Sequence, residues 1–176
     1  MHCLATSTLG ACIGYAKFKP FIYKVILIPV GFLLAVFLHF SWNLSVSFED
    51  TTIFGFLFLV LYMFVTFAIF QISLYFEGKT IYKELQDEAN LGLIPPEHLN
   101  YIPFVSRRFR FGWCPVGVDQ KNYVKTATTL ALRKNQYRNT EGNLQKSYLR
   151  DIENLRYQIQ LMFYNANKAY YESNRI

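Results

Sequence analysis

Two long uncharged runs constrain this chain more than any other feature of its sequence. Residues 25–48 and residues 53–76 contain no Lys, Arg, Asp or Glu. Because about 20 apolar residues already cross the hydrocarbon of a bilayer, neither run fits the core of a small water-soluble domain. A shorter apolar segment, residues 1–16, would reach roughly 24 Å as a helix. The pattern excludes an ordinary soluble enzyme and predicts an all-α membrane protein with about three spans, at 1–16, 21–46 and 53–76.

Charge is concentrated in the second half of the chain. Of the 18 Lys and Arg and the 12 Asp and Glu residues, residues 76–176 carry 15 basic and ten acidic groups. Most of the net charge of +6 therefore follows the last apolar run, where basic groups mark the cytoplasmic side of a membrane. We expect a transmembrane domain at residues 1–78 and a cytoplasmic helical extension at residues 79–176.

The loops between the spans agree with this orientation. Lys17 and Lys19 lie in the first loop, at a turn that ends at Pro20, whereas Glu49 and Asp50 lie in the second. The basic groups of the first loop would then face the same side as the extension, and the acidic pair the opposite side.

The extension has a helical pattern. A helix is predicted over residues 80–91 and ends at Gly92, and an irregular stretch at residues 101–120 could lie on the lipid surface. A helical hairpin is predicted at about residues 121–172, with two apolar stripes that would face each other. The stripes are Val124, Ala127, Ala131 and Leu132 on one helix, and Leu144, Tyr148, Ile152, Leu155, Ile159 and Met162 on the other.

Three polar residues inside the predicted spans need an explanation, because ionisable and amide side chains in hydrocarbon usually face a protein interior. His2 is 15 residues before Lys17, and His39 is 15 residues after Lys24. In antiparallel helices both imidazoles would lie roughly 22 Å from the cytoplasmic turn, at the same depth. Asn43 follows His39 by four residues and shares its helical face.

A pair of glycines accompanies these residues on the first segment. Gly10 and Gly14 are spaced Gly-x-x-x-Gly, which presents a small surface against which another helix can pack.

Two interpretations of the histidines stay open. Two neutral imidazoles could form part of an intramembrane metal site, with Asn43 as an orienting residue or weak ligand. Alternatively, the histidines could only hydrogen-bond across helices or meet lipid headgroups. Two histidines alone do not complete a catalytic zinc site, which usually has three protein ligands and a water.

The residues around these histidines resemble motifs of the PrsW family of intramembrane metalloproteases. Residues 2–16, a His followed by a small-residue helix with two glycines, look like the third motif of the family. Residues 38–43, Leu-His-Phe-Ser-Trp-Asn, resemble its last motif, His-x-x-x-Asn or Asp. The tail segments 84–97, 107–108 and 129–134 are similar to the cytoplasmic extension of many members.

The resemblance implies metal-assisted hydrolysis of membrane-embedded peptides, such as anti-sigma factors, in the bacterial cytoplasmic membrane. It would make His2 and His39 ligands of a divalent metal, zinc, in a complete protein, with Asn43 as a supporting polar residue and Gly10 and Gly14 in helix packing. The Glu-Glu-x-x-Lys and Phe-x-x-x-Glu motifs of the family have no counterpart, since no Asp or Glu precedes Glu49. We therefore expect the C-terminal portion of such a protease, inactive by itself.

A second class of function also fits the sequence. The alternative is a non-catalytic membrane protein whose helical hairpin binds a protein partner. Nucleic acid is not expected as a partner, because the only basic and aromatic cluster, at residues 107–113, is better suited to lipid headgroups. Cys3, Cys12 and Cys114 are too few and too scattered for a disulfide framework or a zinc knuckle, so they are expected to be reduced thiols.

Overall fold

The computed structural model describes residues 2–16 and 21–173. Within them the chain is all-helical and has no strand, which confirms the predicted all-α class. The five α-helices are α1 (His2–Ala16), α2 (Phe21–Val46), α3 (Glu49–Asn90), α4 (Gln120–Arg138) and α5 (Asn143–Ser173), and Pro96–Asn100 forms a short 3₁₀ helix. The predicted turn at residues 17–20 lies outside the described residues, as does Met1.

The chain divides into two compact units. The first ends at Ser73 and contains α1, α2 and the beginning of α3, and the second begins at Leu74. Two helices are long and apolar enough to cross a membrane, α2 and α3, whereas α1 has 15 residues. The third span and the cytoplasmic side of the extension therefore stay predictions.

Helix α3 is longer than the sequence pattern indicated. The predicted span at residues 53–76 and the predicted helix at residues 80–91 form one continuous helix of 42 residues. The physical reason is that no proline lies between residues 49 and 94, and the glycines at 55 and 78 do not interrupt the helix. It ends where Gly92 takes a φ of 75°, which a glycine adopts without steric penalty.

The second unit has a hydrophobic core to which three helices contribute. Ile81 and Leu85 of α3 pack with Tyr123, Ala127 and Leu130 of α4 and with Ile152 and Ile159 of α5, and all are buried. Most of both predicted stripes face inward, but Leu132 and Leu144 are exposed, so the expectation was wrong for those two. Leu144 lies in the first turn of α5, before the helix reaches the core.

Candidate functional site

Helices α1 and α2 pack against each other and bring the two histidines of the first unit together. The ring centroids of His2 and His39 are 4.6 Å apart, with an angle of 42° between the ring planes. His39 is half-buried and His2 is exposed. The two imidazoles, which the sequence placed at equal depth on separate helices, are in ring contact.

Asn43 lies one helical turn beyond His39 and contacts it directly. The Asn43 amide nitrogen, Nδ2, is 3.2 Å from Nε2 of His39. Where Asn43 donates this bond, Nε2 accepts it, and Nδ1 of His39 then carries the proton. On the other helix, the Thr6 hydroxyl donates to the carbonyl oxygen of His2 at 3.0 Å, so it is already satisfied by the backbone.

The three polar side chains line a mostly apolar cleft of about 470 Å³ between α1 and α2. Its other walls are small or apolar side chains: Ala5, Leu9, Phe32, Ala35, Val36 and Phe40, with Thr6 at one side. A cleft of this size with a few convergent polar groups is compatible with a ligand site.

The two imidazoles fit part of a metal site. Each neutral ring has one nitrogen able to coordinate, and imidazole is the commonest protein ligand for zinc. In the part of the chain that the structure describes, no group of three or more His, Cys, Asp or Glu residues could hold a metal ion. Glu49 and Asp50 lie in the first turn of α3. The described residues thus bring together two potential nitrogen ligands, one fewer than a catalytic zinc site usually requires.

The glycines that bring the helices close are not the two chosen from sequence. A Cβ added to Gly10 or Gly14 would meet no heavy atom within 4 Å, so these glycines form no close approach to α2, and packing against a further helix stays a prediction. The close approach is at Gly31, which is buried, where an added Cβ would lie 2.7 Å from Cys12 Cβ. Gly55 makes a similar approach to Ser45, between α3 and α2.

A polar contact between α1 and α3 was also missed by the sequence analysis. The Tyr62 hydroxyl hydrogen-bonds with the Thr8 hydroxyl and donates to the carbonyl oxygen of Leu4 at 3.0 Å. The signal was present, because Tyr62 is a hydroxyl-bearing residue near the middle of a long uncharged run, where an unpaired hydroxyl is costly.

Comparison with known proteins agrees with the motif resemblance in the first unit. The family model described as PrsW family intramembrane metalloprotease matches residues 1–70. Neither the curated proteins nor the solved structures contain a match to this chain. The matched residues include both histidines, Asn43 and the cleft that they line. The match ends before the extension, so the likeness of the tail segments to that family stays a prediction.

Proposed function

Because residues 1–70 are related to the PrsW family of intramembrane metalloproteases, we propose that they form part of an intramembrane metal site of that kind. His2 and His39 would hold a divalent metal ion, zinc, and Asn43 would orient the ring of His39. The observation that carries the proposal is the contact between two imidazoles, 4.6 Å apart, on different helices of the matched segment.

When bound, the metal would supply a Lewis acid and an activated water for peptide hydrolysis. The residues of this chain have narrower roles. The two imidazoles would supply nitrogen ligands, and the Asn43 side chain would hold the ring of His39 through its contact with Nε2. Coordination by Nδ1 of His39 requires the Asn43 amide to present its oxygen to the proton on Nε2, the opposite amide orientation to the one in which it donates. Ala5, Leu9 and Phe32 give the cleft its apolar lining.

A general base and at least one further ligand would have to come from outside the cleft, because Glu49 and Asp50, the acidic residues of the matched segment, lie in the first turn of α3 and do not line it. We therefore propose metal binding, and not peptide hydrolysis, as the activity of this chain by itself. The proposed substrates of the complete site are membrane-embedded peptides, such as those of anti-sigma factors. The proposed location is the bacterial cytoplasmic membrane, with residues 79–176 on the cytoplasmic side.

Cobalt binding tests the proposal directly, since Co²⁺ replaces Zn²⁺ and its visible spectrum reports nitrogen ligands. The full chain in lipid nanodiscs is expected to bind one Co²⁺ ion that Zn²⁺ displaces. His2→Ala and His39→Ala should each weaken binding at least tenfold, and Asn43→Ala should weaken it within the 10- to 100-fold range usual for groups that orient a ligand.

Cys3→Ser is the matched control. Cys3 is exposed beside His2 and is a potential soft ligand, yet its removal should leave Co²⁺ affinity unchanged. Equal Co²⁺ affinity of the wild-type chain and the two histidine variants would refute the metal role. A loss of Co²⁺ binding in Cys3→Ser would assign the ion to the thiol instead.

One observation favours the second candidate, a membrane protein whose hairpin binds a protein partner. On α5, large side chains recur at helical spacing on an exposed face: Tyr157, Leu161, Tyr164 and Tyr171. Tyrosine is enriched in protein interfaces. If the folded chain in nanodiscs binds neither Co²⁺ nor Zn²⁺, while a photo-crosslinking residue in place of Tyr164 forms a defined adduct in membranes, this candidate replaces the first.

A further inference from the structure

Residues 104–111 of the second unit present apolar side chains to the outside. Phe109 is 65% exposed and Phe111 is 103% exposed, the latter as open as a side chain in an extended peptide. Phe104 and Val105 are exposed as well. A water-soluble surface rarely shows so many large apolar groups in one short segment, so this loop has the composition of a contact surface.

The loop is held in place by hydrogen bonds to its backbone. Arg108 Nε donates to the carbonyl oxygen of Ile102 at 2.6 Å. The Gln120 side-chain amide donates to the carbonyl oxygens of Arg108 and Arg110 at 2.8 and 2.9 Å. Trp113 stacks on Tyr101 with ring centroids 5.1 Å apart. The phenylalanines are therefore displayed on a fixed backbone.

The loop begins beside the end of the apolar run of α3. A Cβ added to Gly78, which is buried, would lie 3.0 Å from the carbonyl oxygen of Pro103. Gly78 is only two residues past Phe76, where the uncharged run ends, which is about 3 Å along a helix. Tyr75 and Phe76 are exposed at the same level. Aromatic side chains at this position in a span are typical of the membrane interface.

The charge of the loop is positive. Arg107 and Arg110 are exposed, and the Arg107 guanidinium lies 5.0 Å from the centre of the Phe104 ring. Lys79 and Lys83 are exposed on the adjoining turns of α3. Basic groups just outside a span attract the anionic lipids of the adjacent leaflet.

We propose that residues 104–111 dock on the anionic headgroups of the membrane that α3 crosses, with Phe109 and Phe111 inserted among the lipids and Arg107 and Arg110 at the phosphates. This inference rests on the membrane insertion that the proposed function includes. The residue before the loop, Pro103, lies against Gly78, two residues past the end of the apolar run, and the loop has the charge opposite to the lipid, which favours a bilayer as the occupant.

Depth measurements on the full chain in nanodiscs test the docking. A fluorescent amino acid replaces Phe111, or Leu91 as the control, or Phe64 inside the apolar run; all three side chains are at least 68% exposed, so the substitutions disturb no core. Leu91 lies 13 residues beyond Gly78, about 20 Å farther along the chain in helical rise. In anionic nanodiscs, headgroup-linked nitroxide should quench the probe at 111 and not at 91, and iodide should quench only the probe at 91.

The arginines supply the second arm of the test. Arg107→Gln together with Arg110→Gln should reduce the docking equilibrium roughly 30-fold in anionic nanodiscs, and replacing anionic lipid by phosphatidylcholine should have a similar effect. A probe at 111 as open to iodide as the probe at 91, while the probe at 64 is shielded, would overturn the docking and leave the proposed function intact. If the probe at 64 is also open to iodide, membrane insertion itself fails.

Discussion

The two units of this protein place their apolar side chains in opposite ways. In the first unit, most large apolar side chains of α2 and of the first half of α3 are exposed, and few residues are buried. In the second unit, the apolar side chains form a buried core shared by three helices. The hydrophobic effect holds the second unit together, whereas helices that face lipid gain nothing from that effect and depend on close packing and hydrogen bonds.

The polar contacts inside the two units also differ. In the second unit, α3 carries the acidic residues Glu84, Asp87 and Glu88 on one face, and they pair with Lys134, Arg138 and Arg156 of α4 and α5. The carboxylate of Glu88 is almost fully buried and accepts bonds from both Arg156 and Lys134 at 2.7 Å. In the first unit, the polar contacts that the structure describes inside the helices are between uncharged groups.

The largest effect is expected from removing the buried charge of Glu88. Glu88→Gln leaves the Lys134 ammonium buried next to a neutral amide, and breaking a buried pair in this way costs about 3–5 kcal/mol. Burial acts to raise the pKa of Glu88, but hydrogen bonds from Arg156 and Lys134 hold it below its ordinary value. The measurement is thermal unfolding of the full chain in detergent, followed by the near-ultraviolet circular dichroism of the aromatic core.

Asp87→Asn is the matched control, because Asp87 is one residue away and shares the cation Lys134 with Glu88. Asp87 is half exposed and bonds Lys134 at 3.3 Å and Arg138 at 2.7 Å. An exposed pair contributes about 0–1 kcal/mol, so the unfolding temperature should change little. Equal destabilisation by the two substitutions would mean that burial does not set the strength of this network.

In the first unit, Gly31→Ala should have the largest effect, because the new methyl group would overlap Cys12 Cβ. Overpacking of this kind costs about 1–3 kcal/mol. The expected result is a wider separation of α1 and α2, measured as reduced disulfide cross-linking between cysteines introduced at positions 5 and 35. Gly10→Ala meets open space and should cross-link like the parent chain; if it is as damaging as Gly31→Ala, the described contact between α1 and α2 is wrong.

The pH dependence of the second unit should come first from His98. Its ring is buried against Trp113 and Tyr123, and Nδ1 lies 2.9 Å from the Tyr123 hydroxyl. Burial lowers the pKa of His98 below its ordinary value of 6.5, although nearby Glu97 opposes the change. Because the unfolded chain then binds the proton more readily, the free energy of unfolding should fall as pH drops below 6.5, by at most about 1.4 kcal/mol per pH unit.

Unfolding between pH 7 and pH 5 measures this slope, since the lowered pKa values of Asp87 and Glu88 place their titration at lower pH. His98→Gln should flatten the profile even if it lowers stability at every pH. A slope unchanged by that substitution would assign the dependence to other groups.

The helices were predictable where a single feature of the sequence marks their extent. Uncharged runs indicated α2 and the first half of α3. Gly92 indicated the end of α3, because its positive φ turns the chain so that backbone N–H groups can bond the last carbonyl oxygens of the helix. The continuity of α3 was not predictable, because Gly78 between apolar and charged sequence resembles a break. The structure shows why a glycine suits this position, because an added Cβ would lie 3.0 Å from the carbonyl oxygen of Pro103.

The candidate site was predictable only in its residue types and depths. Equal distance from a common turn placed His2 and His39 at one level, but contact between the rings also depends on how each helix is rotated. That rotation is set by the approach of Cys12 to Gly31, a pair that no spacing rule connects. Gly10 and Gly14 have the expected spacing, but a Cβ added to either would meet no atom of residues 2–16 and 21–173 within 4 Å, since a small residue permits a close approach without requiring one.

The smallest effect should come from the hydroxyl of Tyr62, which tests whether uncharged polar contacts hold the first unit together. Tyr62→Phe removes the bonds to Thr8 and to the carbonyl oxygen of Leu4 while it keeps the ring. Hydrogen bonds between membrane helices contribute about 0.6 kcal/mol on average, because the separated helices find other partners in the membrane. The expected result is therefore a small loss in resistance of the first unit to detergent denaturation, well below that of Gly31→Ala. A loss as large as that of Glu88→Gln would show that a single hydroxyl can stabilise the first unit as strongly as a buried ion pair stabilises the second.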